Sequence, residues 1–318
     1  MEIVLSHTSA LAFWLAQPTR EDYLPARTIA AESPGPATTA DFDYASIVLP
    51  GEATNAIHIL GDRHCENADR RFKIHTCTLP LPRTAIVRVG DDLLACSPEL
   101  ALIQSATILS DIDFIRAGYA LCGTYRLHDD DNAYSARPLT SPARIQSLLE
   151  KLGPIHGAKK ARLLTKRITP GAALARETML AMHLTLPYRM GGFGLPAPLL
   201  NPKVSLTPFQ QQLAGKSYLS PDLYWPNHAV SVEYDSDEFH TGSRKIALDA
   251  HRRDVMAHLG ITEITVTKQQ FNDLVTFNKV AHIVSGAIGH RINPRRSDFP
   301  SLQFELRARL LAPIDFNA

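Results

Sequence analysis

The chain has 318 residues, 33 basic and 32 acidic, with a net charge of +1 and 45% hydrophobic content. That length implies about two domains, the apolar content excludes a disordered chain, and the balanced charge gives no overall pull toward nucleic acid or anionic membrane. No apolar run approaches the ~18–20 residues of a spanning helix, so no membrane association is expected.

The N-terminal stretch MEIVLSHTSALAFWLAQP carries Glu2 and no basic lead-in, so it reads as part of a folded domain and not as a signal peptide. Ser6 is placed to cap a short helix that runs through Leu15 and stops before Pro18. Residues 32–43 read as loop. The runs SIVLP, AIHIL, FKIHTCTL and AIVRV…LLAC read as short strands, the last two joined by Gly90-Asp91-Asp92. Ser97-Pro98 opens a helix, and Ser110 with Asp113 resembles a capping box that opens the next one. Residues 126–142 are polar and turn-rich, a surface loop. Cys65, Cys77, Cys96 and Cys122 show no CxxC spacing, and the pairs Cys65/Cys77 and His64/His75 lack finger-like spacing. Neither a disulfide framework nor a zinc site is expected, and a reducing, cytoplasmic setting is the default.

The composition shifts near residue 150, which divides the chain into a mixed α+β domain over 1–150 and a second domain over 151–318. From Lys151 to Arg176 there are seven basic residues and no acid. Lys159, Lys160, Arg162, Lys166 and Arg167 form either a surface for DNA phosphates or a solvated helix between domains. Thr169-Pro170 reads as the start of a helix reaching about Leu186, with Glu177 as an acid on a partly apolar stripe. After a Gly/Pro-rich connection and a possible strand at 203–209 comes a hairpin. A helix over 243–259 ending at Gly260, a strand ITEITVT and a long helix marked by Phe271, Leu274, Val280, Ile283 and Ile288 complete the order. The fold class is therefore α+β, with a C-terminal α/β core whose mixed central sheet is flanked by helices.

The hairpin, SPDLYWPNHAVSVEYDS, turns at Pro226–His228 and pairs Leu223 with Val232 and Trp225 with Val230 on an apolar face. The other face would oppose Asp222 to Glu233 and Ser220 to Asp235. Opposed Cβ atoms lie roughly 4.5–5.5 Å apart, and like charges there are destabilising. A shared proton, a divalent cation or simple exposure to water would relieve the repulsion.

SPDLYWPNHAVSVEYDSDEFH followed by DAHRRDVMAHLGITEITVT resembles the very-short-patch-repair-like (Vsr-like) branch of the PD-(D/E)xK nuclease superfamily. The likeness rests on Pro221-Asp222, Glu233-x-Asp235, His240, Asp249, Arg252 and Leu259-Gly260 and, upstream, on Glu177 in ARETMLAMHL; it covers about Lys159 to Ile288. The N-terminal stretch KIHTCTLPLPRTAIVRVGDDLLACSPELALIQSA more weakly resembles AbiEi-type antitoxin proteins.

The resemblance implies a restriction-endonuclease-like core and a metal-dependent endonuclease. Asp222 and Glu233 would hold Mg²⁺ or Mn²⁺, with Glu177 joining directly or through water. It also implies a context of phage defence or of toxin–antitoxin control, with DNA or a cognate toxin as partner. The family's usual lysine two residues after the second acid is Asp235 here. Lys245 or His240 would then act as general acid/base or charge stabiliser, or the domain no longer cuts and serves as a DNA-binding regulator or a toxin-sequestering module. Asp249 with Arg252 and Arg253 reads first as a structural ion pair.

Overall fold

The computed structural model describes residues 3–16, 56–61, 72–77, 80–90, 93–126, 136–235 and 243–316, with the backbone alone over 243–250. The described residues are mixed α+β. They divide into two compact units, Met1–Ile168 with Pro313–Ala318 and Thr169–Ala312. The division falls after Ile168 and not near residue 150. The physical reason is that the helix of the basic region, Ala158–Thr165, packs on helices of the first unit.

In that unit β1 (Ile3–Leu5) leads into α1 (His7–Ala16). β2 (Ile57–Gly61), β3 (Phe72–Thr76), β4 (Ile86–Arg88) and β5 (Leu93–Cys96) complete a five-stranded sheet of order β3-β2-β1-β5-β4. β1 runs antiparallel to β2 and parallel to β5. α1 is buried along almost its whole length, and the Trp14 indole N–H donates to the Cys96 carbonyl at 2.7 Å.

Serines set the next helix starts as expected. The Ser97 hydroxyl accepts the Leu100 N–H at the head of α2 (Pro98–Ser105), and the Ser110 hydroxyl accepts the Asp113 N–H at the head of α3 (Asp111–Cys122). α4 (Pro142–Lys151) and α5 (Ala158–Thr165) follow. Buried Glu99 on α2 anchors this layer: it accepts from the Thr140 hydroxyl at 2.7 Å and pairs with Arg144 on α4 at 3.0 Å.

The second unit opens with α6 (Ala175–Thr185), one and a half turns later than its sequence predicts. Gly171 adopts a left-handed φ of 97°, and a Cβ there would meet the Leu200 carbonyl oxygen at 2.7 Å. The backbone at Thr169-Pro170 is therefore committed to a turn, and the cap comes from within the helix: the Glu177 carboxylate reaches back to the Ala173 N–H at 2.8 Å. The remaining elements are β6 (Leu199–Leu200), β7 (Val204–Ser205), α7 (Pro208–Ala214), β8 (Tyr218–Leu219), β9 (Leu223–Trp225), β10 (Val230–Asp235), α8 (Ser243–His258), β11 (Thr262–Thr267), α9 (Lys268–Asn272), α10 (Leu274–Ala287) and α11 (Phe299–Leu311). The main sheet has the order β11-β10-β9-β6 and is mixed, β10 pairing parallel with β11 and antiparallel with β9.

The hairpin register is the predicted one: Leu223↔Val232, Tyr224↔Ser231 and Trp225↔Val230. Leu223, Trp225, Val230 and Val232 are all buried. Beyond Leu223 the expected pairing stops. Ser220 does not oppose Asp235, because the chain before Asp222 turns into the β7–β8 ribbon.

α7, α11 and the break at Asp273 between α9 and α10 were not anticipated, and Ile283, expected in a core stripe, is 58% exposed. The α7 cap, in which Thr207 and Gln210 bond each other's backbone N–H, is a capping box inside a stretch that reads as strand. On the side of Tyr234, an edge-to-face aromatic cluster runs through Phe271, Phe277 and the buried His183 ring. On the opposite face, Val255 and Met256 of α8 pack with Leu206, Leu219 and Ile261. Among the described residues no helix is long and apolar enough to cross a membrane.

Candidate functional site

Alternation along the strands puts Asn201, Asp222, Glu233 and Glu263 on one face of the main sheet, from β6 across to β11. Asp222 sits immediately before β9. Its carbonyl accepts the Asn201 N–H at 3.1 Å, and its carboxylate Oδ2 accepts the Tyr234 N–H of β10 at 2.7 Å. The acid therefore closes the sheet where the backbone ladder ends. Glu233 lies one residue before that donor. Glu177 arrives from α6, and its Oε2 accepts from the Asn201 side chain at 2.6 Å as well as from Ala173. The same Asn201 amide donates to the Gly171 carbonyl at 3.1 Å. Asn201 has φ of 48°, a left-handed conformation in which asparagine is favoured among non-glycine residues.

Opposite charge comes from α8. The Arg252 guanidinium bonds the Glu233 carboxylate and, through Nε, Glu263 Oε2 at 3.3 Å. Arg252 thus ties α8 to acids on two strands; the expected ion pair with Asp249 involves a side chain outside the described residues. Glu263 is a site residue that sequence reading missed. The signal was present as an acid in ITEITVT two positions before the β-branched Thr-Val-Thr end, yet only the parallel register that sets Glu263 beside Ser231 shows which face it takes.

Withdrawal from water pushes all three acids of the predicted set upward. Glu177 rises to about 7, from burial first and then from the negative charge of Asp222. Glu233 rises to about 8 for the same two reasons, with Arg252 pulling the other way. Asp222 is raised by burial, against the Tyr234 N–H and Arg252. The structure thus brings Glu177, Asp222 and Glu233 together and adds Arg252, Glu263 and Asn201.

No protein-family model, curated protein or solved structure matches this chain.

The other predicted residues fare differently. Asp235 is exposed at the end of β10. His240 lies outside the described residues, as do the side chains of Lys245 and Asp249 on α8. Of the seven basic residues of the run, Arg176 lies on α6 of the second unit and six belong to the first. There Lys160 donates to the Leu109 carbonyl at 2.8 Å and pairs with Asp111 at 3.1 Å, while Arg162 donates to the Leu149 carbonyl at 3.2 Å. These two fasten α5 to its neighbours. Lys159, Lys166 and Arg167 are exposed.

Proposed function

We propose that the second unit carries an endonuclease-like centre that hydrolyses phosphodiester bonds of DNA, with Asp222 and Glu233 holding Mg²⁺ or Mn²⁺ and Glu177 beside them. One observation carries this reading: carboxyls from one helix and two strands meet in a largely dry place, faced by a single described guanidinium. All-oxygen, anionic donors are the set that a hard divalent cation takes. When bound, such an ion supplies Lewis acidity at the phosphate and lowers the pKa of a coordinated water.

The chain's own residues do the rest. Asp222 is held by the Tyr234 N–H, so one oxygen is fixed and the other is left for a ligand. Glu177, near half-protonated at neutral pH, is suited to take or return a proton. Asn201 orients its carboxyl. Were an ion held by Glu233, Arg252 would give up that carboxylate and its charge would be available to the phosphate, the work that the missing motif lysine does elsewhere.

Incubation of supercoiled, linear and single-stranded DNA with Mg²⁺ or Mn²⁺ tests the proposal. Cleavage by the wild type that is lost in Asp222→Asn and Glu233→Gln is expected; equal behaviour of all three proteins on every substrate overturns it.

A second reading, a non-catalytic DNA-binding regulator on the same scaffold, is favoured by the Arg252 bridge itself. A guanidinium bound to both Glu233 and Glu263 already neutralises the acids. This reading expects salt-sensitive DNA binding that is indifferent to Mg²⁺ and to Glu233→Gln.

A further inference from the structure

A different set of candidate metal ligands, all of them histidines, converges in the first unit. One ring nitrogen from each of His7, His58 and His75 lies within 4.8 Å of the other two. We propose that these three imidazoles form a mononuclear site for a borderline first-row divalent ion such as Zn²⁺ or Co²⁺, leaving a coordination position open to water.

The topology builds the cluster from three separate segments. β2 and β3 run parallel with His58 opposite Lys73 and Leu60 opposite His75, so His58 and His75 share a face. His7 is the first residue of α1, just past the β1 end where the Ser6 N–H bonds the His58 carbonyl at 2.9 Å. Its φ of 49° is unusual for a residue with a side chain, and its N–H is held by Gln104 Oε1 at 3.1 Å. With that backbone held, the His7 ring lies stacked on His75 with centroids 3.6 Å apart, and it has to swing off this stack for both rings to ligate one ion. A core histidine pair needs none of this, because His75 Nε2 and His58 Nδ1 already satisfy each other at 3.0 Å.

The donor chemistry fits. Two nitrogens bound to a tetrahedral Zn²⁺ at about 2.0–2.1 Å stand about 3.3–3.4 Å apart, so little movement opens the His58–His75 hydrogen bond to an ion. His7 Nδ1 is 3.0 Å from the Ser6 hydroxyl, which leaves Nε2 as the nitrogen for an ion. Burial is the largest cause holding all three rings below the ordinary histidine value, at about 3 for His7 and about 4 for His58 and His75. Each neutral ring keeps one lone pair, and the one that accepts in the His58–His75 hydrogen bond has to be released to an ion. The charge of Lys73 opposes a cation, but Lys73 is exposed and its repulsion is screened by water.

The sequence could not show this site: its ligands are 51 and 17 residues apart, and only β-pairing collects them.

The test uses the full chain without an affinity tag, stripped by chelator and titrated with Co²⁺ and then Zn²⁺. Expected are one imidazole-bound equivalent, Co²⁺ visible bands of low coordination number, and up to three hyperfine-shifted, exchangeable imidazole N–H resonances. His75→Gln and His7→Gln should lose more affinity than the roughly 10–100-fold of an outer-shell change, and Ser6→Ala should lose about tenfold. Asp222→Asn should keep the imidazole-bound Co²⁺ equivalent, whatever ion the acids of the second unit take. Wild-type protein that takes up no Co²⁺, or whose Co²⁺ form shows no shifted imidazole protons, overturns the proposal. So does a folded His75→Gln or His7→Gln variant that binds like wild type, or binding abolished by Asp222→Asn.

Discussion

Arg252 on α8 binds Glu233 on β10, and the same guanidinium binds Glu263 on β11. One side chain thereby ties a helix to two parallel strands and offsets two acids that the sheet places side by side.

Removing that guanidinium leaves two half-buried carboxyls without a counter-charge. Arg252 is itself 30% exposed, so solvent screens part of the loss. Arg252→Ala should cost about 1–3 kcal/mol at pH 8, below the figure for a fully buried pair. It should cost less at pH 5, where Glu233 holds its proton. Urea unfolding at the two pH values, with and without Mg²⁺, measures this. Recovery of stability by Mg²⁺ in the variant is expected if the acids seat a cation.

The two units should respond to pH with opposite sign. Glu177 and Glu233 titrate higher in the fold, at about 7 and about 8, than their ordinary 4.5. Between those values the native state holds more protons than the unfolded one, so the second unit loses stability as pH rises from about 4.5 to about 8. His7, His58 and His75 titrate lower than 6.5, so without metal the first unit loses stability as pH falls through 6.5 toward 4. Trp14 and Trp225 are buried, one in each unit, and single Trp→Phe variants make fluorescence report each unit by itself. Glu177→Gln should stabilise the second unit at pH 8 by roughly 2–4 kcal/mol and have little effect at pH 4.

Asp222 has a structural task besides its proposed chemical one. Asp222→Asn keeps an oxygen for the Tyr234 N–H and should leave stability nearly unchanged, whereas Asp222→Ala strands that donor and should cost about 1–3 kcal/mol. Thermal unfolding of both variants separates the roles, and the asparagine variant is the proper one for cleavage assays.

Asn201 joins Glu177 to Gly171 through one amide. Asn201→Gly tolerates the left-handed backbone and loses only the hydrogen bonds, about 1–3 kcal/mol since one acceptor is a carboxylate. Asn201→Ala adds backbone strain and should be worse. Denaturant midpoints of the two variants check the order.

If the basic run contacts DNA, its exposed members do so. The triple variant Lys159→Ala, Lys166→Ala, Arg167→Ala should reduce the slope of log K against log salt by roughly 2–3 and leave folding intact. Lys160→Ala should instead lower the melting temperature, because Lys160 holds the Leu109 carbonyl and Asp111. Fluorescence anisotropy across a salt series, with melting curves, decides.

The hairpin shows how far local pattern reaches. Two-residue alternation and a Pro-Asn-His turn were enough to pair Leu223 with Val232 and to name the buried face. Serine caps, Gly260 as a helix stop and ITEITVT as a strand were legible for the same reason: each depends on neighbours a few residues away. The start of α6 was misread because Gly171 answers to the Leu200 carbonyl, which is distant in sequence. α7 was missed because its short cap sits in a β-branched stretch.

By itself, then, the sequence determined the α+β class, much of the element order and the shared face of Asp222 and Glu233, since alternation, capping and turn chemistry are local; Glu177 entered through a resemblance, and only the docking of α6 sets it beside Asn201. Tertiary structure alone decided that Arg252 and Glu263 complete the acidic face, that Lys160 and Arg162 are fastened to backbone carbonyls, and that His7, His58 and His75 meet. Each of those depends on strand register or helix docking, which collects side chains far apart in the chain, and no local periodicity encodes such a meeting.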